Sequence, residues 1–128
     1  MLDHIPPIIE VEKPWGEFEQ YTLNTRSTVK VITVQSGGTL SLQFHHRRDE
    51  LWVVLDAGAQ IEVGNTLLRP QRGDKIFIPR ETVHRLSTIG NGPVRILEIS
   101  FGEFDEDDII RLEDAYGRAP VQGNVVKQ

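Results

Sequence analysis

Ser41-Leu42-Gln43-Phe44-His45-His46-Arg47-Arg48-Asp49-Glu50-Leu51-Trp52 joins an alternating run to a dense cluster of imidazole, guanidinium and carboxylate groups. Successive side chains of a strand leave on opposite faces, so Leu40, Leu42 and Phe44 share one face while Ser41, Gln43, His45 and Arg47 share the other. One face packs and the other is available for chemistry, and the stretch reads as the wall of a polar pocket in a β-structure. His46, beside His45, points the opposite way and reads as structural or solvent-exposed.

Outward from this stretch, short alternating or β-branched runs recur at 18–23, 28–35, 39–45, 51–55, 60–63, 75–78, 83–87 and 94–101. Turn signals separate them, among them Ser36-Gly37-Gly38, Asp56-Ala57-Gly58, Gly64-Asn65, Arg72-Gly73-Asp74 and Gly90-Asn91-Gly92-Pro93. Strands punctuated every ~8–12 residues predict an all-β sandwich or barrel. A single short helix is expected near the end, where Asp105-Glu106-Asp107-Asp108 precedes Ile109, Leu112 and Tyr116 at helical spacing and Gly117 supplies a stop. The acidic run reads as a solvated helix cap rather than a metal-binding loop. The whole chain, 1–128, reads as one domain with a core over about 13–118, and residues 1–12 and 119–128 as terminal arms, loose or docked on a partner subunit.

Composition narrows the chemistry. The chain has no cysteine, which excludes disulfides, thiolate catalysis and cysteine-ligated zinc, so a metal would need His and carboxylate ligands. The net charge of −5 is local: residues 103–114 carry seven acidic groups and one Arg, and the remainder of the chain sums to +1. No basic stripe favours nucleic acid, yet a small phosphate has Arg47, Arg48, Arg80 and Arg85 within reach in sequence. The start lacks a basic segment followed by an apolar one, and no run approaches membrane-spanning length, so a cytoplasmic protein without membrane contact is expected.

A second informative segment is Gly73-Asp74-Lys75-Ile76-Phe77-Ile78-Pro79-Arg80-Glu81-Thr82-Val83-His84-Arg85. Gly73 and Pro79 bracket a five-residue strand, and His84 enters the next one, so His45 and His84 come from distant strands able to converge inside a barrel. The two segments resemble the paired motifs of the cupin superfamily. Gly73, Pro79 and His84 match the second motif in spacing, with Glu81 where glycine is usual and Thr88 where asparagine is usual. Gly38 precedes His45 by one residue more than the first motif asks.

Within the cupins, Lys13-Pro14-Trp15-Gly16, Leu40-Ser41-Leu42-Gln43, Arg48-Asp49-Glu50-Leu51-Trp52, Ile78-Pro79 through His84-Arg85, and Glu106-Asp107-Asp108-Ile109 through Tyr116-Gly117-Arg118 resemble the type II phosphomannose isomerase family. That family is the cupin portion of bifunctional mannose-6-phosphate isomerase and mannose-1-phosphate guanylyltransferase enzymes. The resemblance implies a small double-stranded β-helix of jelly-roll type, isomerising mannose 6-phosphate and fructose 6-phosphate through an enediol. No glycine-rich nucleotide-binding segment stands in these 128 residues, so nucleotide-sugar synthesis is not implied.

Such an isomerase needs a base, an electrophile for the oxyanion, and a grip on phosphate. Glu50, His84 and Arg47 are the expected catalytic groups, and Gln43, Arg48, Arg85 and Lys30 the expected substrate-binding ones. The resemblance implies one divalent metal, zinc or similar, held by His45, Glu50 and His84, with His46 as a fourth candidate. Arg47 and Leu51 stand where related sequences carry histidines, and an arginine does not ligate. Two readings stay open: a three-ligand metal, or no metal and Arg47 supplying the positive charge itself. The chain reads first as an isomerase, with or without metal and expected as a homodimer, and alternatively as a non-catalytic sugar-phosphate-binding cupin serving as sensor or accessory subunit in polysaccharide synthesis. Trp15 and Trp52 read as packing residues, and Glu98 as either an outward strand residue or a buried carboxylate serving the pocket.

Overall fold

The structure is a computed structural model in which residues 6–117 are described. Eleven strands follow one another: β1 (Ile9–Lys13), β2 (Gly16–Gln20), β3 (Ser27–Val34), β4 (Leu42–Phe44), β5 (Arg48–Val54), β6 (Ala59–Val63), β7 (Thr66–Leu68), β8 (Lys75–Ile78), β9 (His84–Thr88), β10 (Val94–Gly102) and β11 (Ile110–Glu113). β1 and β2 form a hairpin whose turn is Pro14-Trp15. The rest divide into a four-stranded sheet, β3-β10-β5-β8, and a five-stranded sheet, β11-β4-β9-β6-β7, in which every pairing is antiparallel. From β3 onward the strands alternate between the two sheets, apart from the β6–β7 hairpin, which is the jelly-roll, double-stranded β-helix architecture expected.

Strand β5 is buried along its whole length because both of its faces are covered. Trp52 and Val54 enter the core between the sheets with Val34, Ile78, Val94 and Ile96, against Ala59, Ile61 and Leu86 of the five-stranded sheet. On the outer face Leu51 and Val53 join Ile99 and Phe101 in a second cluster, which Ile8, Tyr21 and Phe77 help to cover. Burying each large apolar side chain contributes ~1.5–3 kcal/mol, so one strand anchors both layers. Period-two alternation then sends Arg48 and Glu50 inward with Trp52.

The chain's approach to Arg48 depends on one glycine. Gly102 pairs with Arg48 across β10 and β5, at a φ of 111°, and a Cβ there would lie 2.6 Å from the Arg47 carbonyl oxygen. Any larger residue would push β10 away from the start of β5.

The helix expected after residue 104 is absent, and among the described residues there is no helix at all. Asp105 begins a turn instead: its carbonyl accepts the Asp108 N–H at 2.9 Å and its Oδ1 accepts the Asp107 N–H at 2.9 Å. Residues 110–113 then pair as β11 with the edge of β4, Ile110 opposite Phe44 and Arg111 opposite Gln43. A helix this short is marginal by itself, whereas the β4 edge offers backbone partners and Asp105 bonds its own backbone. Leu112 and Tyr116, two of the three residues meant for an apolar stripe, are exposed. The arm expected over residues 1–12 is structured from Ile8 onward, as a core contact and then as β1. The arm expected at 119–128, like His4, lies outside the described residues. None of the described segments is a helix long and apolar enough to cross a membrane.

A buried His–Glu–His pocket

Between the two sheets at one end of the core lies a cavity of about 190 Å³, lined by Lys30, Gln43, His45, Arg48, Trp52, His84, Glu98 and Glu106 with Ile32, Leu40 and Ile109. Its polar residues arrive from both sheets: β4 and β9 carry Gln43 and His84, β5 carries Arg48 and Trp52 with Glu50 buried on the same face, and β3 and β10 carry Lys30 and Glu98. Ser41, Gln43 and His45 are buried whereas Leu42 and Phe44 are only partly so, so at β4 it is the polar face that points inward.

Both histidines are held in the same way. His45 Nδ1 lies 2.7 Å from the Asp108 carbonyl and His84 Nδ1 2.9 Å from the Thr82 carbonyl. A carbonyl only accepts, so each Nδ1 bears the proton and each Nε2 keeps a lone pair for the cavity. The two rings lie 5.2 Å apart between centroids. Glu50 stands between them, with Oε2 3.5 Å from His45 Nε2 and Oε1 3.9 Å from His84 Nε2.

Arg48 completes the cluster. Its Nε donates to Glu50 Oε2 at 2.9 Å and its Nη2 to His45 Nε2 at 3.3 Å. Nη1 donates to the Asp105 carbonyl at 3.3 Å, and the guanidinium lies 4.4 Å from the centroid of the Phe104 ring. Trp52 Nε1 donates to Glu50 Oε1 at 2.9 Å and sits 3.3 Å from Glu98 Oε2, while Lys30 Nζ lies 3.6 Å from Glu98 Oε1.

The protonation states follow from burial and charge. Burial lowers the His45 pKa to about 4, against the opposing pull of Glu50, and burial likewise lowers that of His84, so both rings are neutral at pH 7. Burial works to raise Glu50, but its interactions with His84, His45 and the Arg48 guanidinium outweigh it and hold the carboxyl down to about 2. Glu98 is less well compensated: burial, then the neighbouring Glu50 charge, raise it to about 8 against the weaker pull of Lys30 and Arg48, leaving it protonated at neutral pH. The Glu50 carboxylate, the protonated Glu98, the neutral His45 and His84 rings and the Arg48 guanidinium therefore meet here, and Lys30 and Glu106 also line the cavity.

The bend between β4 and β5 gives this arrangement its register. The Asp108 carboxylate accepts the His46 N–H and the Arg47 N–H, each at 2.9 Å, and the His45 carbonyl accepts the Glu81 N–H at 2.6 Å. Asp49 accepts the backbone N–H of Arg80 at 2.7 Å and its Nη2 at 2.9 Å, tying the loop before His84 to β5. Glu81, where the cupin motif has glycine, takes a φ of 66°. That is the left-handed region glycine favours, which gives the motif its physical reason.

Of the residues expected at the site, His45, Glu50, His84, Gln43, Arg48 and Lys30 converge. Arg47 does not: its side chain is half exposed and lies 3.7 Å from Glu103 and 3.4 Å from Asp105 on the outside. Residues 46–47 are a bend rather than strand, so alternation restarts at Arg48, and Arg48 is the arginine inside. Arg85 faces away from the cavity as well, paired with Glu62 at 3.1 Å and Glu113 at 3.2 Å. Glu98 proves to be the buried carboxylate of its two readings. Phe104 and Asp108 escaped sequence reasoning, although Asp108 belongs to one of the quoted motifs.

A divalent ion fits the donors. His45, Glu50 and His84 offer one ligand atom each, all within 4.8 Å of one another, with both imidazoles oriented by backbone carbonyls as metal-binding histidines usually are.

A jelly-roll of two antiparallel sheets enclosing a His–Glu–His pocket defines a cupin. Residues 5–114 match the family described as Mannose-6-phosphate isomerase C-terminal, and the chain belongs to that family. It is 40% identical over 110 residues to the xanthan biosynthesis protein XanB of Xanthomonas campestris, covering 85% of this chain and 24% of that protein. To the alginate biosynthesis protein AlgA of Pseudomonas aeruginosa it is 42% identical over 110 residues, covering 85% and 23%. The chain thus spans about a quarter of the length of these relatives. Among solved structures, the capsular polysaccharide assembling protein CapF of Staphylococcus aureus superposes with a TM-score of 0.63 at 19% identity, over 84% of this chain and 34% of that one.

Proposed function

We propose that the pocket isomerises a hexose phosphate, interconverting mannose 6-phosphate and fructose 6-phosphate. The observation that carries this reading is the meeting, in one buried cavity, of a proton-bearing carboxyl (Glu98), inward Nε2 lone pairs (His45 and His84) and a fixed cation (Arg48). The family match and the names of the relatives support it.

The reaction moves a proton between adjacent carbons and must stabilise the intervening oxyanion. Glu50 is a poor base, held near 2 and already bonded to Arg48 and Trp52, and serves to anchor the guanidinium. Glu98 is tuned close to neutrality and faces the cavity, so it is the group that gives a proton to the substrate carbonyl and takes one back. In the metal-free pocket the neutral His84 ring, with its lone pair inward, takes the proton from C2 and returns it to C1, while Glu98, having protonated the C1 oxygen, takes the proton of the C2 hydroxyl. Arg48 supplies positive charge toward the oxyanion, and Lys30, at the mouth, meets the phosphate. A divalent ion held by His45, Glu50 and His84 would occupy the His84 lone pair and act as a Lewis acid on the substrate oxygens in place of Arg48, leaving proton transfer to Glu98. A cavity of about 190 Å³ is below the ~300–1,000 Å³ of drug-sized pockets and suits a compact ligand.

A coupled assay for fructose 6-phosphate, run on purified protein with and without added divalent ions, tests the proposal. Turnover that Glu98→Gln abolishes without loss of fold is the expected result, and no turnover under any of these conditions overturns it. One observation favours a second reading, a sugar-phosphate-binding subunit of polysaccharide synthesis: Arg48 covers two of the three metal donors. That reading predicts a rise in melting temperature with mannose 6-phosphate but no turnover.

A further inference from the structure

Two of the three donor atoms that a divalent ion would use are already engaged by a cation of the chain itself. Arg48 donates to Glu50 Oε2 at 2.9 Å and lies 3.3 Å from His45 Nε2, the lone pair left over after Nδ1 is anchored on Asp108. The side chain is 5% exposed, and what holds it there is independent of the donors: the Asp105 carbonyl on Nη1 and the Phe104 ring against the guanidinium. Only His84 Nε2 is free of it among the three. A lone pair cannot serve an N–H and a metal at once, and a guanidinium beside a dication is repelled by it.

We propose that Arg48 is the resident cation of this pocket and competes directly with divalent metal for His45 and Glu50, so that metal enters only as the guanidinium withdraws. Phe104 and the Asp105 carbonyl set the strength of that competition by holding Arg48 in place. The proposal rests on the reading of the His–Glu–His cluster as a cation site but not on turnover, so it stands or falls separately from the isomerase assignment. The alternative role for Arg48 is opposite in sign: a positioning residue that orients Glu50 for the metal, whose loss would weaken binding.

The test is titration of the metal-free full chain with Co2+, followed by its visible absorption, and with Zn2+ by calorimetry. Arg48→Met is expected to bind either ion roughly tenfold or more tightly than wild type, since a unit charge is removed within hydrogen-bonding distance of two donors. Phe104→Leu, which leaves the donors and the partly exposed loop intact, is expected to tighten binding by a smaller factor, roughly two- to fivefold. This second variant keeps the test decisive should Arg48→Met fold poorly. His84→Ala, combined with Phe104→Leu, is expected to lose the gain. Equal or weaker metal binding by both variants overturns the proposal, as does failure of every variant to bind either ion.

Discussion

Replacing Asp108 should loosen the bend that delivers Arg48 and His45 to the pocket, and the cost can be worked from the geometry. The carboxylate accepts two backbone N–H groups, from His46 and Arg47, both at 2.9 Å, while itself 5% exposed. Hydrogen bonds to a charged group contribute ~1.5–3 kcal/mol each, so loss of both sets a ceiling of ~3–6 kcal/mol. His46 and Arg47 lie at the surface, where water can reach the freed N–H groups, which brings the expectation for Asp108→Ala to ~2–3 kcal/mol. Asp108→Asn keeps one acceptor and turns an amide donor toward the other N–H, for an expected cost of ~1–2 kcal/mol. Urea denaturation followed by tryptophan fluorescence measures both. The pH dependence adds a second check. The His46 and Arg47 N–H groups outweigh burial and hold the Asp108 carboxyl below its ordinary value, so its contribution is complete above the unfolded-state value of ~3.9 and is lost as pH falls through the folded-state one. The gap between wild type and Asp108→Asn should therefore narrow only at acid pH. Were both variants within ~0.5 kcal/mol of wild type at pH 7, the bend would owe its shape to something other than this carboxylate.

Two further outcomes follow from the same geometry. Glu81→Gly should stabilise the protein by up to ~1 kcal/mol in urea denaturation, because a φ of 66° is relieved at an exposed position whose side chain touches only the exposed His46 among the described polar partners, while the backbone N–H to the His45 carbonyl is kept; a loss of stability would contradict the strain. Metal-free protein should melt highest near pH ~6.5. On the acid side the buried His45 and His84 stay neutral in the fold while the unfolded chain takes up protons, so stability falls from pH ~6.5 toward 4, by at most ~3 kcal/mol for His45. Toward alkaline pH the Glu98 contribution, complete below ~4.5, is withdrawn as pH rises through about 8. Melting temperatures across pH 4–9 that climb steadily to pH 8 would refute this balance.

How far the pocket could be read from sequence depended on where strand alternation holds. It holds within β4, so Ser41, Gln43 and His45 were grouped correctly, and within β5, so Arg48, Glu50 and Trp52 share a face. It fails at His46-Arg47, where a two-residue bend is pinned by Asp108 more than 60 residues away in the chain, and no local pattern announces such a partner. Counting through the bend put Arg47 inside; restarting after it puts Arg48 there. The lost helix has the same origin: helical spacing at Ile109, Leu112 and Tyr116 is a local property, and the open edge of β4 that captures residues 110–113 is a tertiary one. Glu98 shows the remaining limit. On a strand covered on both sides, Leu97 and Ile99 are as apolar as Ile96, so alternation carries no information about which face is the pocket. What decides it is the register of β10 against β5, Glu98 opposite Trp52, which places a carboxyl against an inward indole N–H, where burial and then the neighbouring Glu50 charge keep it protonated. The proton on Glu98, and with it the chemistry proposed for this site, is thus a consequence of sheet pairing.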